Sequence, residues 1–234
     1  MQLSEMKVAI TGAASGIGHA LAQGFLKDGA RLVAVDRHGE GLKPLAEQGA
    51  TTAIVDVSDP AQVQTMVNLA VESFGRLDVL INNAGIGFRA LIVDYGPDRF
   101  EEVFRVNLFG PFYGLRAALP VMRRQGYGRI INVLSRAAEG GGPGMSAYGC
   151  SKAALFALTR HAAREIEEGE DILVNGLIPG VTKTGLMPQG QDPSIVYPTA
   201  RMLATLPAGG PSGRVFWDQK EYFLFDPENQ TFKR

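Results

Sequence analysis

The apolar run Val8-Ala9-Ile10 passes directly into Thr11-Gly-Ala-Ala-Ser-Gly-Ile-Gly18, and an amphipathic stretch with Ile17, Leu21 and Phe25 on one face follows. Few folds accept that order. A buried strand, a glycine turn and a helix starting at once is the unit that opens a parallel α/β sheet. The turn also carries chemistry, because backbone N–H groups and a helix N-terminus converge on the space above it and favour a phosphate. Gly12 permits the tight turn, and Gly16 and Gly18 allow close approach of backbone and phosphate, with Ser15 and Ile17 between them. The spacing is Gly-x-x-x-Gly-x-Gly, not the commoner Gly-x-Gly-x-x-Gly. Taken alone, such a loop is also compatible with a plain turn.

The rest of the chain repeats the strand–helix alternation. Apolar runs predict strands at 7–11, 31–35, 52–55, 79–81, 129–133 and 173–178, and their continuity fits parallel strands covered on both faces. Helical periodicity predicts helices at 17–28, 61–74, 100–122 and 147–167. Asp59-Pro60 reads as an N-cap followed by a first-turn proline. Gly110-Pro111 should bend or disturb the third of these helices, and the glycine-rich segment 139–144 is a loop. The expected fold class is α/β, a doubly wound parallel β-sheet with helices on both faces. With 234 residues, 45% of them hydrophobic, one domain spanning 1–234 can bury a sufficient core.

A second apolar run, 32–35, ends in Asp36, about twenty residues past the glycines. A carboxylate there takes ribose hydroxyls and repels a 2′-phosphate. Arg37 follows immediately and is either a partner for that phosphate or a solvated side chain. Position 15 is serine, so no second cation adds to Arg37. The charge argument favours NAD over NADP.

Tyr148 and Lys152 stand four residues apart in the helical stretch 147–167, and Ser135 ends the apolar run that begins at 129. Positions i and i+4 share a helix face, so phenol and ammonium can meet one pocket. A free tyrosine has a pKa of roughly 10, and a fixed cation nearby favours its phenolate. A serine hydroxyl from a strand end can bond the oxygen that gains or loses the proton. Beside a dinucleotide loop, this set points to redox chemistry on a carbonyl or alcohol.

In this order and spacing, TGAASGIG, Asp56-Val57, Asn82-Asn83-Ala84-Gly85, Asn107, Ser135, Tyr148-x-x-x-Lys152, Pro179-Gly180 and Thr184 make the chain similar to the short-chain dehydrogenase/reductase family in its compact form. The resemblance runs from about Lys7 to Thr184. It implies that Tyr148 is the general acid/base, that Lys152 lowers the tyrosine pKa and holds the nicotinamide ribose, and that Ser135 polarises the substrate oxygen. It implies that Asn107 supports a water linking the lysine to solvent. Asp56 and Val57 then meet the adenine, Asn83, Ala84 and Gly85 line the adenosine ribose, and Pro179, Gly180 and Thr184 lie beside the carboxamide. Bland alternatives remain at this point: Asn82 and Asn83 as turn formers, Pro179-Gly180 as a chain reversal. The family resemblance also implies a homodimer or homotetramer, with Leu155, Leu158 and Ala162 offering an apolar stripe on the outer face of the tyrosine helix.

The C-terminal part departs from the family pattern. A short or irregular substrate lid is expected at 184–205, and the tail 214–234 is atypical. Phe216, Trp217, Tyr222, Phe223 and Phe225 there serve as core, a final strand pair, an interface or a substrate wall, with core packing the default. Cys150 reads as a small side chain packed on the helix. His19 and His161 read as solvated or surface groups. Arg136, beside Ser135, is either a paired surface arginine or a contact for an anionic substrate.

Net charge is −1, which gives no basic footprint for nucleic acid or an anionic membrane. No apolar run reaches the roughly eighteen residues of a membrane span, and nothing resembles a signal peptide. A single cysteine suits a reducing, cytoplasmic compartment. No metal is assigned. The expected function is an NAD(P)(H)-dependent oxidoreductase interconverting a secondary alcohol and a ketone. The alternative is a catalytically idle dinucleotide-binding sensor or scaffold, which has no need of a tuned phenol. A sugar-nucleotide epimerase would need a larger substrate domain.

Overall fold

The computed structural model describes residues 2–183, 185 and 189–226. Eight strands form one sheet: β1 (Lys7–Thr11), β2 (Arg31–Asp36), β3 (Thr51–Ile54), β4 (Val79–Asn82), β5 (Gly128–Val133), β6 (Ile172–Ile178), β7 (Val215–Trp217) and β8 (Lys220–Glu221). Their order is β3-β2-β1-β4-β5-β6-β7-β8. The first seven run parallel and β8 is antiparallel to β7. The helices are α1 (Gly16–Lys27), α2 (Lys43–Glu47), α3 (Pro60–Phe74), α4 (Pro97–Phe104), α5 (Gly110–Gln125), α6 (Ser146–Arg164) and α7 (Tyr197–Ala204).

Side chains alternate across a strand, and here both faces are covered. Val8 and Ile10 point to the side where Leu21 and Phe25 of α1, Leu45 of α2 and Leu203 of α7 pack. Ala9 points to the side of Met66 from α3, Leu115 and Met122 from α5, and Ala162 from α6. That double burial is why the strands read as unbroken apolar runs. The fold is the expected doubly wound α/β sheet, and the strand positions fall within a residue of expectation at each end.

The starting edge of the sheet is locked by buried charge. Arg129 is 1% exposed and lies 2.7 Å from the Asp171 carboxylate, while its guanidinium also donates to the Leu206 carbonyl at 2.7 Å. Asp78, fully buried, accepts from Arg76 at 2.6 Å and from the Lys7 amide at 2.9 Å. The finishing edge, where strand ends meet helix starts, is left for the cleft.

Asp59 caps α3 as expected, accepting from the Ala61 amide at 2.8 Å. The helix expected across 100–122 is resolved into α4, a π-turn at Arg105–Phe109 and α5. Pro111 has no N–H to offer the carbonyl four residues back, so the regular ladder cannot run through Asn107.

Several sequence expectations are corrected. Cys150 is exposed, not packed, because it falls on the outer side of α6. Leu155 and Ala162 are buried in the fold and Leu158 packs partly against it, so that stripe faces the sheet and not a neighbour. The apolar groups left exposed on this side are Phe109 and Phe112, at 45% and 43%. His19 is half-buried, not solvated. The segment 184–205 is less irregular than expected: α7 lies in it, with Ala200 and Leu203 in the core. Its residues 184 and 186–188 lie outside the described residues, as does 227–234 of the tail. The rest of the tail forms the β7–β8 pair, with Phe216 buried and Trp217 partly exposed. Among the described residues no helix is long and apolar enough to cross a membrane.

Candidate active site

Where the strand order reverses between β1 and β4, the carboxyl ends of the strands open onto a cleft of about 930 Å³. At one end stands the glycine loop. Gly12 has φ +67°, a conformation costly for any residue with a Cβ. At Gly18 a Cβ would sit 2.1 Å from the Gly12 carbonyl oxygen, so only glycine lets α1 start this close to the turn. Thr11 and Asn83 bind the loop to the end of β4. The Thr11 hydroxyl accepts from the amides of Asn83 and Ala84 at 3.0 and 3.1 Å. The Asn83 amide group donates back to the carbonyls of Thr11 and Gly12 at 2.9 and 3.1 Å. Asn83 is therefore a clamp between two strand ends, not a turn former.

Asp36 ends β2 at the rim. Its carboxylate accepts from the Ala14 amide at 3.1 Å and the His38 amide at 2.9 Å, which fixes it beside the loop. Arg37 is exposed and its Nε donates to the His38 ring at 3.0 Å. One Asp56 oxygen accepts from the Ser58 amide and hydroxyl at 2.8 and 2.7 Å. Val57 packs against Gly110 at the start of α5, where a Cβ would meet it at 3.0 Å.

At the other end Ser135 and Tyr148 both line the cleft, and the serine hydroxyl is near enough to the phenol to favour its ionised form. Ser135 also caps the short 3-10 helix Arg136–Glu139, accepting from the Ala137 amide at 3.1 Å. Lys152, one turn beyond Tyr148, is 3% exposed and donates to the Val133 carbonyl at 2.7 Å. Its Nζ lies 5.8 Å from the centre of the tyrosine ring. Asn107, fully buried in the π-turn, accepts from the Ile86 amide and donates to the Ile86 carbonyl, both at 2.9 Å. It also donates to the Ser151 hydroxyl at 3.0 Å.

The electrostatics differ from the sequence expectation at one point. Burial pushes the Tyr148 phenol above its ordinary value, and only the Ser135 hydroxyl opposes the rise. The expected lowering by Lys152 is absent from this geometry, because the ammonium is turned to Val133. Burial lowers Lys152 itself to about 8.

The cleft thus gathers most of the residues singled out from the sequence: Gly12, Ser15, Gly16, Ile17, Asp36, Arg37, Asp56, Val57, Asn83, Ala84, Gly85, Ser135, Tyr148, Lys152, Pro179 and Gly180 all line it. Gly18 and Asn107 lie behind its wall, and Thr184 is outside the described residues. Sequence reasoning missed the supports. Asn82 donates to Asn132 at 2.8 Å, and Asn132 donates to Thr159 of α6 at 2.9 Å, a buried relay that seats the tyrosine helix on the sheet. A polar residue within a buried strand was the available signal. His38, Arg89 and Met145 also line the cleft without a sequence signal.

Residues 6–193 match the family model described as short chain dehydrogenase. The chain is 39% identical over 184 residues to the uncharacterized oxidoreductase YxjF of Bacillus subtilis (strain 168), covering 76% of this chain and 71% of that protein. It is 36% identical over 190 residues to the 3-oxoacyl-[acyl-carrier-protein] reductase FabG of Thermotoga maritima, covering 79% and 77%. Among solved structures, levodione reductase superposes with a TM-score of 0.83 at 30% identity, covering 91% of this chain and 95% of that one. The chain belongs to the short-chain dehydrogenase family.

The buried lysine yields a pH-dependent test. Lys152 titrates at about 8 in the folded chain against an ordinary 10.5. Charging it in place is unfavourable, so the full penalty is present below about pH 8, fades as pH rises, and is gone above 10.5. Lys152→Met should therefore stabilise the chain at pH 7 by about 1–3 kcal/mol, with the advantage shrinking by pH 10. Urea unfolding of both proteins at the two pH values reads this; a pH-independent difference would mean that the buried charge is not the cause.

Proposed function

We propose that the chain interconverts a secondary alcohol and a ketone, using NAD as its dinucleotide. The observation that carries this reading is the meeting of Ser135, Tyr148 and, one helical turn on, Lys152 in the same cleft as the glycine loop. The loop fits a pyrophosphate: backbone free of Cβ atoms at Gly12 and Gly16 faces the cleft beside the first turn of α1. Asp36 fits ribose hydroxyls, Asp56 and Val57 an adenine, and Lys152 with Pro179 and Gly180 the nicotinamide end. When bound, the dinucleotide supplies the carrier of hydride.

The protein's own groups manage the proton. In the reducing direction Tyr148, kept protonated at neutral pH by burial, donates to the carbonyl oxygen while the Ser135 hydroxyl holds that oxygen in place. In the oxidising direction Tyr148 must first be ionised, so oxidation rises with pH. The Lys152 ammonium, 5.8 Å from the centre of the phenol ring, would offset the negative charge left on the phenol by turning from Val133 toward it. Asn107 fixes Ile86 and thereby the wall beside Lys152. The relatives' names include a 3-oxoacyl-[acyl-carrier-protein] reductase and a levodione reductase, so the family alone does not set the substrate.

Tyr148→Phe tests the assignment, since it keeps the ring and removes the proton carrier. Turnover should fall about 10²–10⁴-fold with dinucleotide affinity nearly unchanged; retention of a tenth of the activity or more would leave an idle dinucleotide-binding protein as the better reading. For the cofactor, NAD should bind more tightly than NADP, and Asp36→Ala should narrow the gap. Calorimetric titration of both dinucleotides decides it, and a wild-type preference for NADP would mean that Arg37 overrules the carboxylate. We also propose assembly of two or four copies through the α5 side, where Phe109 and Phe112 remain exposed. Light scattering should give a multiple of 25.1 kDa for the wild type and a smaller species for Phe112→Asp; a monomeric wild type would sink the idea.

A further inference from the structure

Beyond Ser135 the cleft changes character. The next residue, Arg136, starts the short helix Arg136–Glu139 and lies on the cleft surface. Its guanidinium sits 5.1 Å from the centre of the Trp217 ring. Trp217 is held in turn from two sides: Tyr222 packs edge-on at 5.8 Å, and Gly180 leaves room for the indole, since a Cβ there would be 3.1 Å from its Nε1. An arginine on an aromatic platform keeps N–H donors at its edge, and here the guanidinium is also near enough to the Tyr222 phenol to favour its ionised form.

Arg136 has no carboxylate within ion-pair distance among the described residues. The acidic side chain in its neighbourhood is Glu139, and both of its oxygens are used on the tail. One accepts from the Tyr222 hydroxyl at 2.7 Å and the other from the Phe225 amide at 2.9 Å. Arg89, from the loop after β4, lines the same end of the cleft and also lacks a carboxylate partner among the described residues. The two aspartates of the cleft, Asp36 and Asp56, belong to the opposite, adenosine-like end. Among the described cleft residues the substrate end carries Arg136 and Lys152 against Glu139, whose oxygens are both engaged by the tail.

We propose that Arg136, laid on Trp217 beside Ser135, is the anion-binding residue of the substrate site, and that the substrate is a small ketone or alcohol bearing a carboxylate. This rests on the dehydrogenase reading above. Ser135 and Arg136 line the same cleft, so an oxygen held by the one and a carboxylate held by the other belong to one molecule. The guanidinium offers two parallel N–H donors, the geometry that a carboxylate accepts and a neutral ester accepts poorly. The tail has a role in this arrangement: β7 brings Trp217 to the cleft wall, and Tyr222, just after β8, packs against it.

The test uses straight-chain 2-, 3- and 4-oxo acids and their methyl esters with the full-length protein and NADH, and the corresponding hydroxy acids with NAD. At least one oxo acid should exceed its ester in kcat/KM. Arg136→Gln should raise the KM for that acid about 10–100-fold, the loss typical of one charge-assisted hydrogen bond, with kcat and the ester's constants changed little. Arg136→Lys should restore part of the loss. Trp217 is the single tryptophan of the chain, so its fluorescence gives a second readout that needs no turnover. A carboxylate should shift it saturably in the wild type and weakly in Arg136→Gln, whose unliganded spectrum and melting point report whether the variant is folded. Equal use of acids and esters, or a carboxylate response unchanged in Arg136→Gln, overturns the proposal while leaving the dehydrogenase reading intact. A saturable, Arg136-dependent response without any turnover does the reverse: the anion site stands and the redox reading fails.

Discussion

The reversal of strand order between β1 and β4 is the constraint on which the rest of this protein depends. Chains leaving β1 turn to one side of the sheet and chains leaving β4 to the other, so the backbone parts at that point and a cleft opens. Left alone, two diverging loops would be free to splay. The hydroxyl of Thr11 and the side-chain amide of Asn83 prevent this with four hydrogen bonds across the gap. The glycine loop is thus held at the mouth of the cleft, with the Ala13 and Ala14 amides tied to Val35 and Asp36.

A second constraint governs the chemistry. Tyr148 and Lys152 are set by a helix that the buried Asn82–Asn132–Thr159 relay ties to the sheet interior, as does Lys152 itself. Each amide in that relay is satisfied, which makes the arrangement specific: a shift of α6 along the sheet would leave unpaired polar groups in the core. Lys152 is the expensive member. Its ammonium is held away from water with one backbone carbonyl as its partner, a cost that a purely structural core would not carry.

The C-terminal segment shows how a short chain finishes such a fold. β7 extends the parallel sheet, β8 folds back along its edge, and Glu139 ties the following turn to the helix after Ser135 through Tyr222 and Phe225. That tie fixes Trp217 under Arg136. One part of the cleft is then lined by the carboxylates Asp36 and Asp56, and another by Arg136, Glu139 and Trp217.

The sequence by itself determined the α/β class, the alternation of elements and the residues of the cleft. These are local matters: apolar continuity follows from burial on both sheet faces, and glycine is required wherever φ is positive or backbones touch. The family motifs then assigned roles to Asn107, Ser135, Tyr148 and Lys152. What the sequence left open depends on which way a side chain faces once elements dock. Leu155 and Ala162 lie on a stripe that periodicity cannot assign to core or partner, and docking of α6 turned it inward. Cys150, two residues from Tyr148, was turned outward by the same rotation. Asn83 became a clamp because β1 and β4 end side by side, and Arg136 met Trp217 because β7 pairs with β6. Contacts between residues 72 or 81 positions apart carry no local signature, so only the tertiary structure decided them.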